Sequence, residues 1–198
     1  MPDPGLARGA AQVYLWFMSS PDLSLYTRAG LPDALRALVH ELPRDRWQAH
    51  PGFVGLVEFW LQRHLLFRRL LATLETDTQA LMERQIAFEA YAPRLSRFAN
   101  LLVSELDGHH RIEDQHYFPR LARFDARIGP GFELLDADHR ALDGLLHDMT
   151  GAVTAVLEGG APDVFADHLA RFGQLLDRHL QDEEELVVPV ILRSGCDE

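Results

Sequence analysis

The chain has a single cysteine, Cys196, in 198 residues. A lone thiol excludes an internal disulfide framework, and it cannot build a thiolate metal site by itself. It fits a reducing cytoplasm, which is the expected location. No apolar run approaches the roughly 20 residues that span a bilayer. The run nearest the start, residues 10–18, has one arginine before it and no small-x-small cleavage site after it. It is therefore not read as a signal peptide. Positive charge is scarce too. Lys plus Arg total 19 against 30 Asp plus Glu, a formal net charge of −11. An acidic surface repels phosphate backbones, so neither a nucleic-acid nor a membrane partner is expected. Strand patterning is nearly missing. Val187-Val188-Pro189-Val190-Ile191 is the one β-branched cluster, and it is expected to end the last helix.

What is present is ordinary globular composition, 47% apolar and 25% charged, which excludes disorder as the main state. Residues 1–50 are punctuated by Pro21, Gly30, Pro32 and Pro43. They read as an N-terminal extension, helical over Pro32–His40 and packed on the rest, with no chemistry of its own. From residue 51 to 198 the pattern changes to spacings of three and four. The first stripe is Phe53, Val57, Trp60, His64, Phe67, Leu71 and Leu74. The second is Leu95, Phe98, Leu102, Leu106, His109, Glu113 and His116. The third is Phe132, Leu135, His139, Leu142, Leu146, Met149, Val153 and Val156. The fourth is Phe165, Leu169, Phe172, Leu176, His179, Glu183, Leu186 and Val190. Such stripes are the seams of packed helices. Thr76-Asp77-Thr78, Pro93, Gly129-Pro130-Gly131 and Gly159-Gly160 read as the breaks. Short connections join antiparallel neighbours, so the expected fold is all-α, an up-down-up-down four-helix bundle.

Each seam carries a histidine where an apolar residue belongs: His64, His109, His139 and His179. With helices alternating in direction, all four fall roughly 12–17 Å from one end of the bundle, at about 1.5 Å per residue. Two seams add a carboxylate. His109 precedes Glu113, and His179 precedes Glu183, by four residues each. That spacing puts both side chains on one helix face. Two buried carboxylates without a counter-charge would be costly, and an oxygen-and-nitrogen donor set suits iron or manganese, with zinc as a rival.

The segments His109–Pro119 and His179–Pro189 share a histidine, acids at the fourth and fifth following positions, and proline at the tenth. They resemble the paired signatures of the hemerythrin-like (HHE cation-binding) family. His64 and His139 match its single histidines on the first and third helices, and the resemblance covers about residues 53–190. It implies a non-haem di-iron site held by His64, His109, Glu113, His139, His179 and Glu183. It implies two iron ions, oxo- or hydroxo-bridged when oxidised, and a small ligand such as O2, NO or peroxide. Two positions depart from the oxygen carriers of that family. Asp143 stands where they have a second third-helix histidine, and Glu184 where they have an aspartate. A site poorer in histidine and richer in carboxylate points to oxygen or peroxide chemistry, iron handling or sensing.

A rival reading is an iron-responsive regulatory module whose fold the metal stabilises and whose redox or regulatory protein partner reads that state. No motif identifies an organic substrate site, so enzymatic turnover stays open. Among the other polar residues, His110 is expected beside the site or at the surface, with completion of a metal's coordination sphere as the alternative. His116 is expected on the seam as a buried partner or an access-route residue, with ligation as the lesser alternative. Three of the four acids in Asp182-Glu183-Glu184-Glu185 are expected in solvent. Asp138 and Asp143 are candidate acceptors for the second N–H of a metal-binding histidine. Trp60, Phe67, Leu142, Phe172 and Leu176 are expected in the core, and Cys196 in a passive tail.

Overall fold

The computed structural model describes residues 23–195. The apolar run at 10–18, the first part of the extension and Cys196 lie outside them. The described residues are helical, with no strand among them. A 3₁₀ turn at Asp33–Leu35 leads into α1 (Ala37–Glu41), and a second 3₁₀ turn follows at Arg44–Arg46. The long helices are α2 (Leu56–Met82), α3 (Phe88–Ile112), α5 (Gly129–Leu157) and α6 (Pro162–Ser194). Between α3 and α5 lie a π-turn, Glu113–Tyr117, and the short α4 (Phe118–Leu121). No described helix is long and apolar enough to cross a membrane.

The seams are where the spacing puts them. All members of the third and fourth stripes are buried, and so are all of the first except Phe53. The second stripe is buried at Leu95, Leu102, Leu106, His109 and Glu113 but not at Phe98 or His116.

Helix ends differ from expectation for local reasons. Thr76-Asp77-Thr78 does not loosen α2. The hydroxyls of Thr76 and Thr78 donate back to the carbonyls of Ala72 and Leu74, and Asp77 pairs with Arg94. The helix ends instead near Arg84, which takes a left-handed backbone at φ 58°. Glycine is the usual residue there, so the sequence carries no sign of it. Nor does Val187–Ile191 end α6, which runs through Pro189 to Ser194. An interior proline costs about 3 kcal/mol or more. Leu186, Val187, Val188, Val190, Ile191 and Leu192 are all buried there, at about 1.5–3 kcal/mol each. Tertiary burial outweighs the break.

The chain divides into two compact units. The first runs up to Gln62 and adds Ile112–Asp138 and the residues from Arg178 onward. The second is Arg63–Arg111 with His139–Asp177. The division falls inside the long helices rather than at loops. In the first unit, Leu31, Leu35, Leu38 and Trp47 share a core with Val57, Trp60, Phe132, Leu186 and Ile191. A side chain at Gly131 would meet Leu186 at 2.8 Å, so glycine permits that approach. In the second unit, Phe67, Leu74, Tyr91, Leu142, Phe165 and Phe172 are buried. The Tyr91 hydroxyl bonds that of Thr78 at 3.0 Å.

Candidate metal centre

In the first unit, α6 presents His179 and Glu183 one turn apart, both fully buried. His179 Nε2 lies 3.3 Å from Glu183 Oε2. On its other side, His179 Nδ1 lies 3.3 Å from Asp138 Oδ2. Burial alone would lower the imidazole pKa. Its hydrogen bonds to Asp138 and Glu183 outweigh burial and carry it up to about 9. A cation at this imidazole would compete with a proton for the same nitrogen. Burial would raise the Asp138 pKa, but hydrogen bonds from His179 and Arg28 hold it below the usual range.

Glu113 opens the π-turn and is buried. Burial, and then the neighbouring Glu183 carboxylate, push its pKa well above the carboxylate range. A second carboxylate beside Glu113 disfavours its charged form, as in a site short of positive charge. The Trp60 indole N–H donates to Glu183 Oε1. One oxygen of Glu183 is thus tied to the indole while the other faces His179.

The second unit contributes imidazoles. His64 Nε2 and His109 Nε2 approach to 3.2 Å, with the rings edge to face. Phe67 packs against His109 at 5.2 Å between ring centroids. His110 stacks on His139 at 3.9 Å with only 11° between the planes. All four histidines are buried.

Two donor groups emerge. His64, His109, Glu113 and Glu183 each offer a ligand atom within 4.8 Å of the others, and so do His110, His139 and His179. Every member is buried, and either group can hold a metal ion. The donors are nitrogen and oxygen only, which fits iron or manganese and admits zinc.

All six residues expected from the sequence fall in these groups, and His110 joins them. His110 is buried rather than at the surface, and as a donor it would make a fifth imidazole. The burial expected of His116 is corrected, and the cause is local. Phe118 N–H bonds the carbonyl of Glu113, five residues back. Pro119 has no N–H for the carbonyl of Gln115, so the turn widens. The seam steps from Glu113 to Phe118 and Leu121, and His116 is left exposed.

The acidic run is a second correction. Asp182 and Glu184 are buried like Glu183, and each flanking acid meets an arginine from the N-terminal segment. Arg28 pairs with Asp182 at 2.8 Å, Arg44 with Glu184 at 2.6 Å and Arg36 with Glu185 at 3.1 Å. The segment expected to carry no chemistry thus reaches the site. An isolated arginine in a loop gave no sequence signal for this. Of the two candidate acceptors, Asp138 meets His179, whereas Asp143 is exposed and lines a surface groove with His147. Trp60, Phe67, Leu142, Phe172 and Leu176 are in the core as expected. His40, His147 and His168 are exposed.

No curated protein and no solved structure matches the chain. A family model does. The hemerythrin HHE cation-binding domain matches residues 55–192, a span that holds all seven donors of the two groups. With the match covering more than half of its length, this chain belongs to the hemerythrin HHE cation-binding family.

Proposed function

We propose that the protein binds two non-haem iron ions inside an up-down-up-down four-helix bundle and uses them to bind or react with O2, NO or peroxide. The observation that carries the reading is the donor chemistry. Two groups of buried imidazoles and carboxylates have ligand atoms within 4.8 Å of one another, with no thiolate among them. His64, His109, Glu113 and Glu183 would hold one ion, and His110, His139 and His179 the other. Iron held by these residues would supply redox change and Lewis acidity. The chain's own part is to keep the donors dry and fixed. Phe67 walls His109, and Trp60 orients Glu183. The lone cysteine supports a cytoplasmic setting, and the bundle is read as residues 51–198 with 1–50 as an extension packed on it.

The test is anaerobic loading with ferrous iron, followed by metal analysis and optical spectra before and after O2 or NO. Two ions per chain are expected, with new absorption on adding the ligand. Loss of one or both ions is expected for His109→Ala and Glu113→Ala. Full metal content in those variants, or no iron retained by the parent protein, would sink the assignment.

One observation supports the rival reading of an iron-responsive module. The N-terminal segment is ion-paired to the helix that carries His179 and Glu183. Metal should then raise the melting temperature, because a ligand that binds only the native state stabilises it. An unchanged melting temperature on iron loading counts against that role.

A further inference from the structure

We infer that Arg28 is a positioning residue for the metal centre: through Asp138 it fixes the orientation of His179. The inference rests on the metal-binding reading above and extends it to a residue outside the matched domain.

The geometry is a buried chain of charge-assisted hydrogen bonds. The Arg28 side chain is only 4% exposed. Its Nη1 donates to Asp138 Oδ1 at 2.7 Å, and its Nη2 donates to Asp138 Oδ2. Asp138 Oδ2 in turn meets His179 Nδ1 at 3.3 Å. A planar guanidinium that holds both oxygens of a carboxylate fixes the plane of that carboxylate. The carboxylate plane then fixes the imidazole ring, and His179 Nε2 is left towards Glu183. Hydrogen-bond partners of this kind orient metal-binding histidines and raise their basicity.

The arginine is itself held from several sides. Its Nε donates to Asp182 Oδ2 at 2.8 Å, and its Nη1 also donates to the carbonyl of Leu23 at 3.1 Å. Asp182 accepts from Arg178 Nη2 at 2.5 Å and from the backbone N–H of Leu31 at 3.0 Å. The loop at 28–31 is therefore locked onto α6 one turn from His179. Arg44 provides the natural control. It pairs with the buried Glu184, on the same helix and from the same segment, but it does not touch Asp138.

The test uses the full chain and Co(II), which reports its ligands in the visible spectrum. The parent protein should take two ions. Arg28→Met should lower the affinity for one of them by about 10–100-fold and leave the other. Asp138→Asn should reproduce this loss, and the double variant should be no worse than Asp138→Asn alone, since both act in one chain. Arg44→Met should keep both affinities within about twofold of the parent, as expected of a residue off that chain. Equal losses in Arg28→Met and Arg44→Met would reduce Arg28 to a stabiliser of the segment. Additive losses in the double variant would place it outside the chain to His179. Either result overturns the inference. So does an Arg28→Met variant with parental affinity.

A metal-free measurement separates this inference from the metal reading. In nitrogen NMR, the His179 Nδ1–H should show a hydrogen-bonded resonance in the parent and in Arg44→Met, and lose it in Arg28→Met. If the parent binds no Co(II), the metal reading fails while the NMR comparison still decides the role of Arg28. An unchanged His179 resonance in Arg28→Met overturns that role whatever the metal does.

Discussion

The two motif arms, His109–Pro119 and His179–Pro189, read almost alike in sequence and are held in different ways. In the second arm the helix is unbroken, and the acids on both sides of Glu183 are buried against arginines of residues 28–44. In the first arm the backbone widens into a π-turn at Glu113, and the residue before it, Ile112, is 51% exposed. One glutamate is held by tertiary ion pairs and the other by local backbone geometry. The motif marks residues that fall in the two buried donor groups. It does not tell what fixes them.

The largest expected effect separates the arms at the position before each glutamate. Asp182→Ala leaves Arg28, Arg178 and the Leu31 N–H without a shared acceptor. Removing one partner from a buried ion-pair network costs about 3–5 kcal/mol. The matching change, Ile112→Ala, removes an exposed side chain and should stay within about 0.5 kcal/mol. Urea unfolding of both metal-free variants measures this. Similar midpoints would break the comparison. One position after the glutamates, the contrast should shrink. Glu184 is buried, but Arg44 is 52% exposed, so Arg44 can return to water when Glu184 is removed. Glu184→Ala should cost about 1–2 kcal/mol, near the lower end for a charged hydrogen bond.

The prolines test the other half of the contrast. Pro119→Ala restores an N–H that can bond the Gln115 carbonyl and draw the π-turn back towards an α-helix. Glu113 should then leave its place, with metal affinity down at least tenfold and stability changed by about 1 kcal/mol or less, within the usual range for one substitution. Pro189→Ala lies beyond Glu183 in a helix that is already regular, and affinity should hold within about twofold of the parent. Metal titration of both variants decides it. Equal losses would show that both arms depend on their prolines alike.

Much of the site was legible because helix periodicity is a short-range signal. A four-residue spacing alone puts His179 and Glu183 on one face, and both are buried there. What periodicity could not give was any change of period. His116 follows the 3.6-residue rule and is exposed, because the turn before it is wider. His110 sits one residue off the stripe and is buried against His139. Arg28 is more than 100 residues from Asp138 in the chain, and only the folded structure brings the two together. The acids of 182–185 looked solvated for the same reason. Their partners lie far upstream, at Arg28, Arg36 and Arg44.

The smallest effect lies at the surface, where Glu41 of α1 is tied to residues that follow both arms. It pairs with Arg193 at the end of α6, at 2.7 Å, and with Arg127 in the loop after the first arm, at 3.0 Å. Arg127 also donates to Asp125, with its Nη2 at 2.6 Å from Oδ2. Those hydrogen bonds outweigh burial and hold the Asp125 pKa below the ordinary 3.8, with a small contribution from Arg193. The sign follows. A carboxylate whose pKa is lower in the folded state adds stability above its unfolded value and loses it as pH falls through the folded one. Asp125 should therefore steepen the acid limb of unfolding below about pH 4, and Asp125→Asn should flatten it by removing a stabilisation that the parent has above pH 5 and loses in acid. Solvent screens such a pair, so the change will be small. Glu41→Gln should shift the thermal midpoint only slightly, because exposed pairs contribute about 0–1 kcal/mol. If Glu41→Gln instead weakened metal binding, the two arms would be coupled through α1, and their separate anchoring would no longer hold.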